Sequence, residues 1–176
     1  MNFYPRSFNL YLLAAVLLTA VCGCQSTKKE DKHLAMLRIH IENRAQLPSS
    51  SFGRTISVLR SQPVMVTINS EPVLTEADIA SASVLDTPGG LAVQVRFNET
   101  GTYTLEQFTA AYAGKHFAIF GQWTEFAKDS RWLAAPLINH RIANGVLSFT
   151  PDASPEEIRQ LVVGLNNMVK HLAPSK

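Results

Sequence analysis

The side chains best suited to acid–base or metal chemistry in this chain are its five histidines: His33, His40, His116, His140 and His171. No two of them stand four residues apart, as zinc-binding histidines on one face of a helix do. Neither an HExxH sequence nor a paired HxH is present. His40 falls on the polar face of a predicted strand. We therefore expect surface histidines, with no metal ion and no cofactor bound.

Nucleophilic catalysis also lacks its usual sequence signatures. The chain has no Gly-x-Ser-x-Gly turn, and its cysteines, Cys22 and Cys24, both precede the predicted domain. The serines at 49–51 are typical of a flexible connector. The sequence therefore predicts that the protein is not an enzyme. The alternative is a small periplasmic hydrolase that uses His116 or His140 with a nearby acid inside a cleft.

One predicted loop combines aromatic and basic side chains. Between positions 123 and 132, two tryptophans accompany a phenylalanine and an arginine, and such loops suit the recognition of a peptide or a glycan. The candidate partner-binding residues are Trp123, Phe126, Arg131 and Trp132. The alternative is that the two tryptophans anchor the loop to the core.

The surroundings of Cys24 predict a covalent modification. An apolar run from Leu10 to Val21 follows Arg6 and has the length of a secretory signal, short of a membrane span. The sequence Val21-Cys22-Gly23-Cys24 resembles the lipobox of bacterial lipoproteins: an aliphatic residue, two small residues and a cysteine. In that family the cysteine thiol receives a diacylglycerol group before the signal is cut. The resemblance implies that residues 1–23 are removed and that Cys24 joins the protein to a lipid bilayer.

The residues after Cys24 predict a tether and a location. They are polar and charged up to Lys32, without apolar periodicity, so residues 24–33 are expected to be flexible. In Gram-negative lipoproteins, an aspartate after the cysteine tends to retain the protein in the inner membrane. Gln25 at this position implies the outer membrane, facing the periplasm. An ordinary cleaved signal and an uncleaved anchor helix are the alternatives to lipidation.

Length and charge limit the number of domains and the classes of partner that the remaining chain can have. Removal of 23 residues from 176 leaves 153, enough for a single domain over residues 34–176. Fifteen positive side chains against 14 negative ones give no basis for nucleic-acid binding. Because no cysteine follows position 24, a disulfide and a thiolate zinc site are both excluded from this domain.

Alternating apolar residues predict most of the domain as strands. Leu37, Ile39 and Ile41 alternate with polar residues, as expected of a half-buried strand. The clearest strand runs from Leu91 to Phe97, with its apolar residues on one face. Further β-rich runs lie at 55–59, 64–68, 82–86, 115–123, 132–138 and 146–149, and residues 124–131 are predicted to form a loop.

Capping patterns predict the first helices. Thr75, with an acid three residues later, indicates a short helix. A turn is predicted at residues 98–101. Thr104 and Gln107 then form a capping-box pattern that opens a helix, and Gly114 is a typical C-terminal stop.

The last helix has the strongest signal. Ser154 followed by Pro155 and Glu157 predicts a capped start, and apolar residues from Ile158 to Leu172 recur at helical spacing. Such an amphipathic helix must pack on a sheet or a partner. Together the elements predict an α+β domain, with two or three helices packed on one face of a mainly antiparallel sheet.

The order of these elements resembles a known domain. Residues 74–172 are similar to the head subdomain in the first periplasmic (P1) domain of SecD/SecDF, an accessory subunit of protein export. The resemblance is carried by the V-x-V-x-F-(x)3-G strand and turn of residues 93–101, the strand of residues 116–120, the Ala-Pro-Leu-Ile segment of residues 135–138 and the Ser-Pro-Glu-Glu start of the last helix. It implies a non-catalytic domain that contacts extended polypeptide outside the cytoplasmic membrane.

Two departures from the family limit what the resemblance implies. Residues 147–152 read Leu-Ser-Phe-Thr-Pro-Asp, where the family usually has an Ile-x-Gly-x-Phe run. The six membrane helices of SecD have no counterpart, so its motor function is not implied. The predicted function is that of a lipid-anchored envelope module that binds or scaffolds a polypeptide or another envelope partner. The expected binding mode for a peptide is strand addition at an exposed sheet edge.

Overall fold

A computed structural model describes residues 33–43, 53–123 and 129–173, all within the unit Lys32–Lys176. These residues form antiparallel strands and two α-helices, which confirms the predicted α+β class. No helix among them is long and apolar enough to cross a membrane. The elements are β1 (Met36–Ile41), β2 (Gly53–Val58), β3 (Val64–Asn69), a 3-10 turn (Glu76–Asp78), β4 (Ile79–Thr87), β5 (Gly90–Phe97), α1 (Glu99–Ala111), β6 (Phe117–Gln122), β7 (Ser130–Ala134), β8 (Val146–Phe149) and α2 (Pro155–Leu172).

The strands are distributed over three small sheets. The first has the order β1-β6-β7, the second is the β2-β3 hairpin and the third has the order β4-β5-β8. Helix α2 contacts β4, β1 and β5, so it packs on both three-stranded sheets. The main core lies between α2 and these two sheets and includes Leu37, Ile39, Val95, Ile119, Leu161 and Leu165.

The β2-β3 hairpin covers the second face of the first sheet. Its apolar residues form a separate cluster with Ala118 of β6: Ile56, Val58, Val66 and Ile68. His40 is paired with Ala118 across the sheet, so its side chain lies under the same cover and is 7% exposed. The prediction that His40 lies at the surface is wrong, because β2 and β3 turn the polar face of β1 into an interior face.

Helix α1 begins earlier than predicted. Asn98 is its N-cap, and the Asn98 side chain accepts a hydrogen bond from the Gly101 N–H at 2.9 Å. Residues 99–101 are therefore the first turn of the helix, and the prediction of a turn here with a cap at Thr104 is wrong. Gly101 is required for packing, since a Cβ would lie 2.7 Å from the carbonyl oxygen of Asp78. The 3-10 turn thus rests directly on the start of α1.

Helix α2 follows its sequence prediction closely. The Glu157 N–H donates to Ser154 Oγ at 3.3 Å, and the Ser154 N–H donates to Glu157 Oε2 at 2.6 Å, which completes the capping box. Pro155 occupies the first helical position. The predicted apolar stripe is buried at Ile158, Leu161, Val162 and Leu165.

Candidate functional site

A groove of about 760 Å³ lies between β8 and the irregular segment of residues 136–144. We call it the β8 groove, and its lining comprises Phe117, residues 136–144 and residues 146–148. Phe117 is buried beneath it, whereas Leu137 is 47% exposed at its wall. The lining therefore combines apolar side chains, such as Leu137 and Ile142, with polar ones, such as His140 and Asn144.

One side of the groove is an edge strand. In the third sheet β8 pairs with β5 on one side only, with Val95 opposite Leu147. Within the part of the chain that the structure describes, no strand pairs with the other edge of β8. Edge strands present backbone donors and acceptors that can pair with another extended chain.

The opposite wall is fastened at its start to residues 114–117, where the chain enters β6. The Phe117 N–H donates to the Pro136 carbonyl at 3.0 Å. The Ile138 N–H donates to the Lys115 carbonyl at 2.8 Å, and the Gly114 N–H donates to the Ile138 carbonyl at 2.9 Å. Gly114 has a φ of +78°, a conformation that favours glycine and lets the chain turn from α1 toward β6.

The far end of the wall is fastened to α1. The Ile142 N–H donates to Thr109 Oγ1 at 2.9 Å, and Arg141 forms an ion pair with Glu106. The wall then turns into β8 at Gly145, whose φ is +66°. Hydrogen bonds within the protein therefore hold the wall of the groove near both of its ends.

Trp123 and Arg131, which the sequence predicted as partner-binding residues, lie apart from the groove lining. Trp123 is 1% exposed and belongs to the main core. The Arg131 guanidinium lies 4.8 Å from the centre of the Trp123 ring and donates to Glu157 Oε2 at 2.8 Å. It also donates to the Asp152 carbonyl at 3.1 Å, so it joins β7 to the start of α2.

Trp132 packs under the β2-β3 hairpin. Its ring meets Phe120 edge-on at 5.4 Å and His40 at 5.2 Å, measured between ring centres. The side chain is half-buried, and it too is separate from the groove lining. Phe126 and Cys24 lie outside the described residues.

His40 is held by the backbone beneath the hairpin. Its Nδ1 lies 2.9 Å from the Asn69 carbonyl oxygen, to which it donates. Burial lowers the pKa of His40, and the charges of Arg38 and Arg54 act in the same direction, although the hydrogen bond to Asn69 opposes them. The ring is therefore neutral at pH 7.

His116 has an acidic partner outside the groove. Glu42 Oε2 accepts hydrogen bonds from the backbone N–H and the Nδ1 of His116, both at 2.8 Å, and Lys115 Nζ lies 3.6 Å from Glu42 Oε1. Burial opposes ionisation of Glu42, but the hydrogen bonds from His116 and the charge of Lys115 outweigh it and lower the pKa of Glu42.

The two histidines proposed for hydrolysis therefore sit in different settings. Neither His116 nor Glu42 lines the groove, whereas His140 lines it and takes part in none of the described ion pairs. Among the described residues, no three acidic, histidine or cysteine side chains converge as metal ligands would. The geometry of the groove suits binding, with apolar contacts and an open strand edge, more than proton transfer.

A comparison with protein families decides the relationship of this chain to known proteins. The model of the SecDF P1 head subdomain matches residues 54–167, more than half of the chain. The chain belongs to the SecDF P1 head family. The match begins 20 residues before the stretch that carries the sequence resemblance, so the β2-β3 hairpin is part of this head domain.

A solved structure of SecDF shares the fold. A chain from the structure of SecDF, a membrane component that enhances protein export, is 18% identical with a TM-score of 0.53, over 95% of this chain and 71% of that one. SecDF in its super-membrane-facing form is 14% identical with a TM-score of 0.47, over 91% and 32%. The translocon-associated SecDF of Thermus thermophilus is 16% identical with a TM-score of 0.41, over 92% and 34%. No curated protein matches the chain.

The β8 groove of this SecDF P1 head domain was missed from the sequence. Its wall has no regular period, and residues 132–138 were predicted as one extended segment. The available signal was a cluster of apolar residues, Leu137, Ile138 and Ile142, after the break at Pro136. Their positions along the wall depend on contacts with α1 and with the start of β6, which no local pattern encodes.

Proposed function

We propose that this SecDF P1 head domain is a non-catalytic binding or scaffold module that holds an extended polypeptide in the β8 groove. The observation that carries the proposal is the edge strand beside a wall of mixed apolar and polar residues, because backbone pairing and side-chain contact are then available in one channel. Membership of the SecDF P1 head family supports a polypeptide as the partner.

The binding mode follows from the geometry of a strand. A segment added to β8 would point alternate side chains to one face, where Leu137 and Ile142 offer apolar contact. Its backbone would pair with β8, so the sequence of the partner would matter less than its extended conformation. His140 and Asn144 provide polar contacts at the rim.

The proposal also covers where the domain works. The lipobox-like sequence before Cys24 supports a lipid-anchored protein, joined to the bilayer by a flexible tether, and Gln25 favours the outer membrane facing the periplasm. A domain held in this way would meet polypeptides or envelope proteins that emerge at the membrane surface. Arg131 and Trp132 are half-buried and keep some exposed surface, so with Phe126 they stay a separate predicted contact region. Trp123, predicted with them, is buried in the main core and would act there only by supporting Arg131.

Binding of an unfolded chain tests the groove. The probe is reduced, carboxymethylated α-lactalbumin with a fluorescent label. It is titrated with the protein that begins at residue 24, while the fluorescence anisotropy of the label is measured. Leu137→Ser should weaken binding by about tenfold, since an exposed apolar contact is lost. The matched control is Met65→Ser, which changes an apolar side chain 65% exposed on β3, away from the groove.

Backbone pairing needs a second probe. A seven-residue peptide of alternating valine and lysine is compared with the same peptide methylated at alternate backbone nitrogens, which cannot donate along that edge. The unmethylated peptide should bind at least about tenfold more tightly. Equal binding of both peptides, or equal effects of Leu137→Ser and Met65→Ser, would contradict polypeptide binding in the β8 groove.

A further inference from the structure

One buried hydroxyl joins the groove wall to α1. The Ile142 N–H donates to Thr109 Oγ1 at 2.9 Å, and the same hydroxyl donates to the Leu105 carbonyl at 2.7 Å. Thr109 is 0% exposed, so water does not compete for either bond. The bond to Leu105 occupies the hydroxyl hydrogen, which leaves the oxygen lone pairs for the wall.

A second contact between the wall and α1 is weaker. Arg141 pairs with Glu106, but the Arg141 side chain is largely exposed. Exposed ion pairs are screened by salt and offset by side-chain entropy, whereas a buried hydrogen bond is not screened. Thr109 is therefore the stronger of the two polar attachments of this part of the wall, beside the packing of Ile142 against the main core.

The position of that attachment determines what the groove can accept. The wall is held at Ile138 by the chain before β6 and at Ile142 by Thr109, and it then turns through Gly145 into β8. Release of the Ile142 N–H would leave the exposed Arg141–Glu106 pair and the packing of Ile142 as the contacts between the ends of residues 139–144. We propose that Thr109 is a positioning residue that fixes the width of the β8 groove, and with it the affinity for polypeptide; this inference rests on the proposed function.

The test removes the acceptor and keeps the shape. Thr109→Val replaces the hydroxyl by a methyl group of similar size, and Thr109→Ala removes both the hydroxyl and the methyl group. Thr109→Ser keeps the hydroxyl oxygen that accepts the hydrogen bond from Ile142. Thr104→Val is the control, because it makes the same change at a half-buried threonine of the same helix.

Two measurements are made on each variant: amide hydrogen exchange at Ile142 by NMR, and binding of labelled, reduced and carboxymethylated α-lactalbumin. Thr109→Val and Thr109→Ala should speed the exchange at Ile142 by about tenfold or more and weaken binding by about tenfold. Thr109→Ser and Thr104→Val should stay within about twofold of the wild type in both measurements.

The outcomes separate this inference from the proposed function. Unchanged exchange at Ile142 in Thr109→Val overturns the inference, whatever the binding result. Faster exchange with unchanged affinity overturns it as well, since the wall would then move without consequence. A wild-type domain that does not bind the unfolded chain contradicts the proposed function instead, while the exchange data still decide whether Thr109 holds the wall.

Discussion

The side-chain amide of Asn166 on α2 binds both backbone polar groups of Ala82 on β4. The Ala82 N–H donates to Asn166 Oδ1 at 3.0 Å, and Asn166 Nδ2 donates to the Ala82 carbonyl at 2.8 Å. Asn166 Nδ2 also donates to the Val162 carbonyl of its own helix at 3.0 Å, which fixes the amide in place. Because β4 is an edge strand of the third sheet, the amide occupies positions that a further strand would take.

Replacement of Asn166 should destabilise the domain and expose this edge. Asn166→Ala leaves the two polar groups of Ala82 without these partners, so we expect the free energy of unfolding to fall by about 1–3 kcal/mol. Urea unfolding measures it, and light scattering detects any new self-association through β4. Gln160→Ala, at an exposed position of the same helix, is the control. An unfolding midpoint equal to that of the control would contradict the role of Asn166.

His40 should make stability fall in mild acid. Burial lowers its pKa from 6.5, so the unfolded chain binds a proton more readily than the folded domain does. Its contribution to stability is complete above about pH 6.5 and is lost progressively as the pH falls from there toward the lowered folded pKa. His40→Gln, which keeps a donor for the Asn69 carbonyl, should flatten the stability profile between about pH 6.5 and 5.

Urea unfolding across this pH range measures the effect of His40. His171→Gln changes an exposed histidine near the end of α2 and should leave the profile as in the wild type. If His40→Gln and the wild type have parallel profiles, the buried neutral histidine is not the source of the pH dependence.

Glu42 should stabilise the domain at neutral pH and lose that effect in stronger acid. Its pKa is lowered from 4.5, because hydrogen bonds from His116 outweigh the cost of burial. The contribution is complete above the unfolded value and disappears as the pH falls through the folded pKa. Glu42→Gln should therefore cost about 1 kcal/mol at pH 7 and much less near pH 3.

The exposed Glu71→Gln is the matched control for Glu42, with urea unfolding at both pH values as the measurement. Part of the acid sensitivity will persist in Glu42→Gln, since hydrogen bonds from Arg60 also lower the pKa of Asp152. A loss that is the same at pH 7 and pH 3 would show that the Glu42 charge is not involved.

Cys24 should carry the lipid. Expression of the full chain in a Gram-negative host, followed by mass spectrometry of the N-terminal peptide, should find a start at residue 24 with added diacylglycerol mass. Cys24→Ser removes the sulfur nucleophile and should abolish both the lipid and membrane fractionation. Cys22→Ser, two residues away on the signal side, should leave both unchanged. An unmodified N-terminal peptide beginning elsewhere would refute lipidation.

Local patterns in the sequence determined most of the helices and strands. The Ser154–Pro155–Glu157 start and the apolar stripe of α2 were predicted as they stand, since capping and amphipathic spacing act between residues a turn apart. Strands β1 and β5 followed from alternation alone. The start of α1 was misplaced because Thr104 carries a capping pattern inside the helix, whereas Asn98 and Gly101 resembled a turn.

Tertiary contacts decided which side chains are buried and where the groove lies. The burial of His40 depends on a hairpin that begins 13 residues later in the chain, and the β8 groove depends on Thr109 meeting Ile142, 33 residues away. The sequence alone therefore determined an α+β chain whose order of elements resembles the SecDF P1 head. The three sheets, the covered histidine and the groove were decided only in the folded structure, because packing between distant segments leaves no periodic trace along the chain.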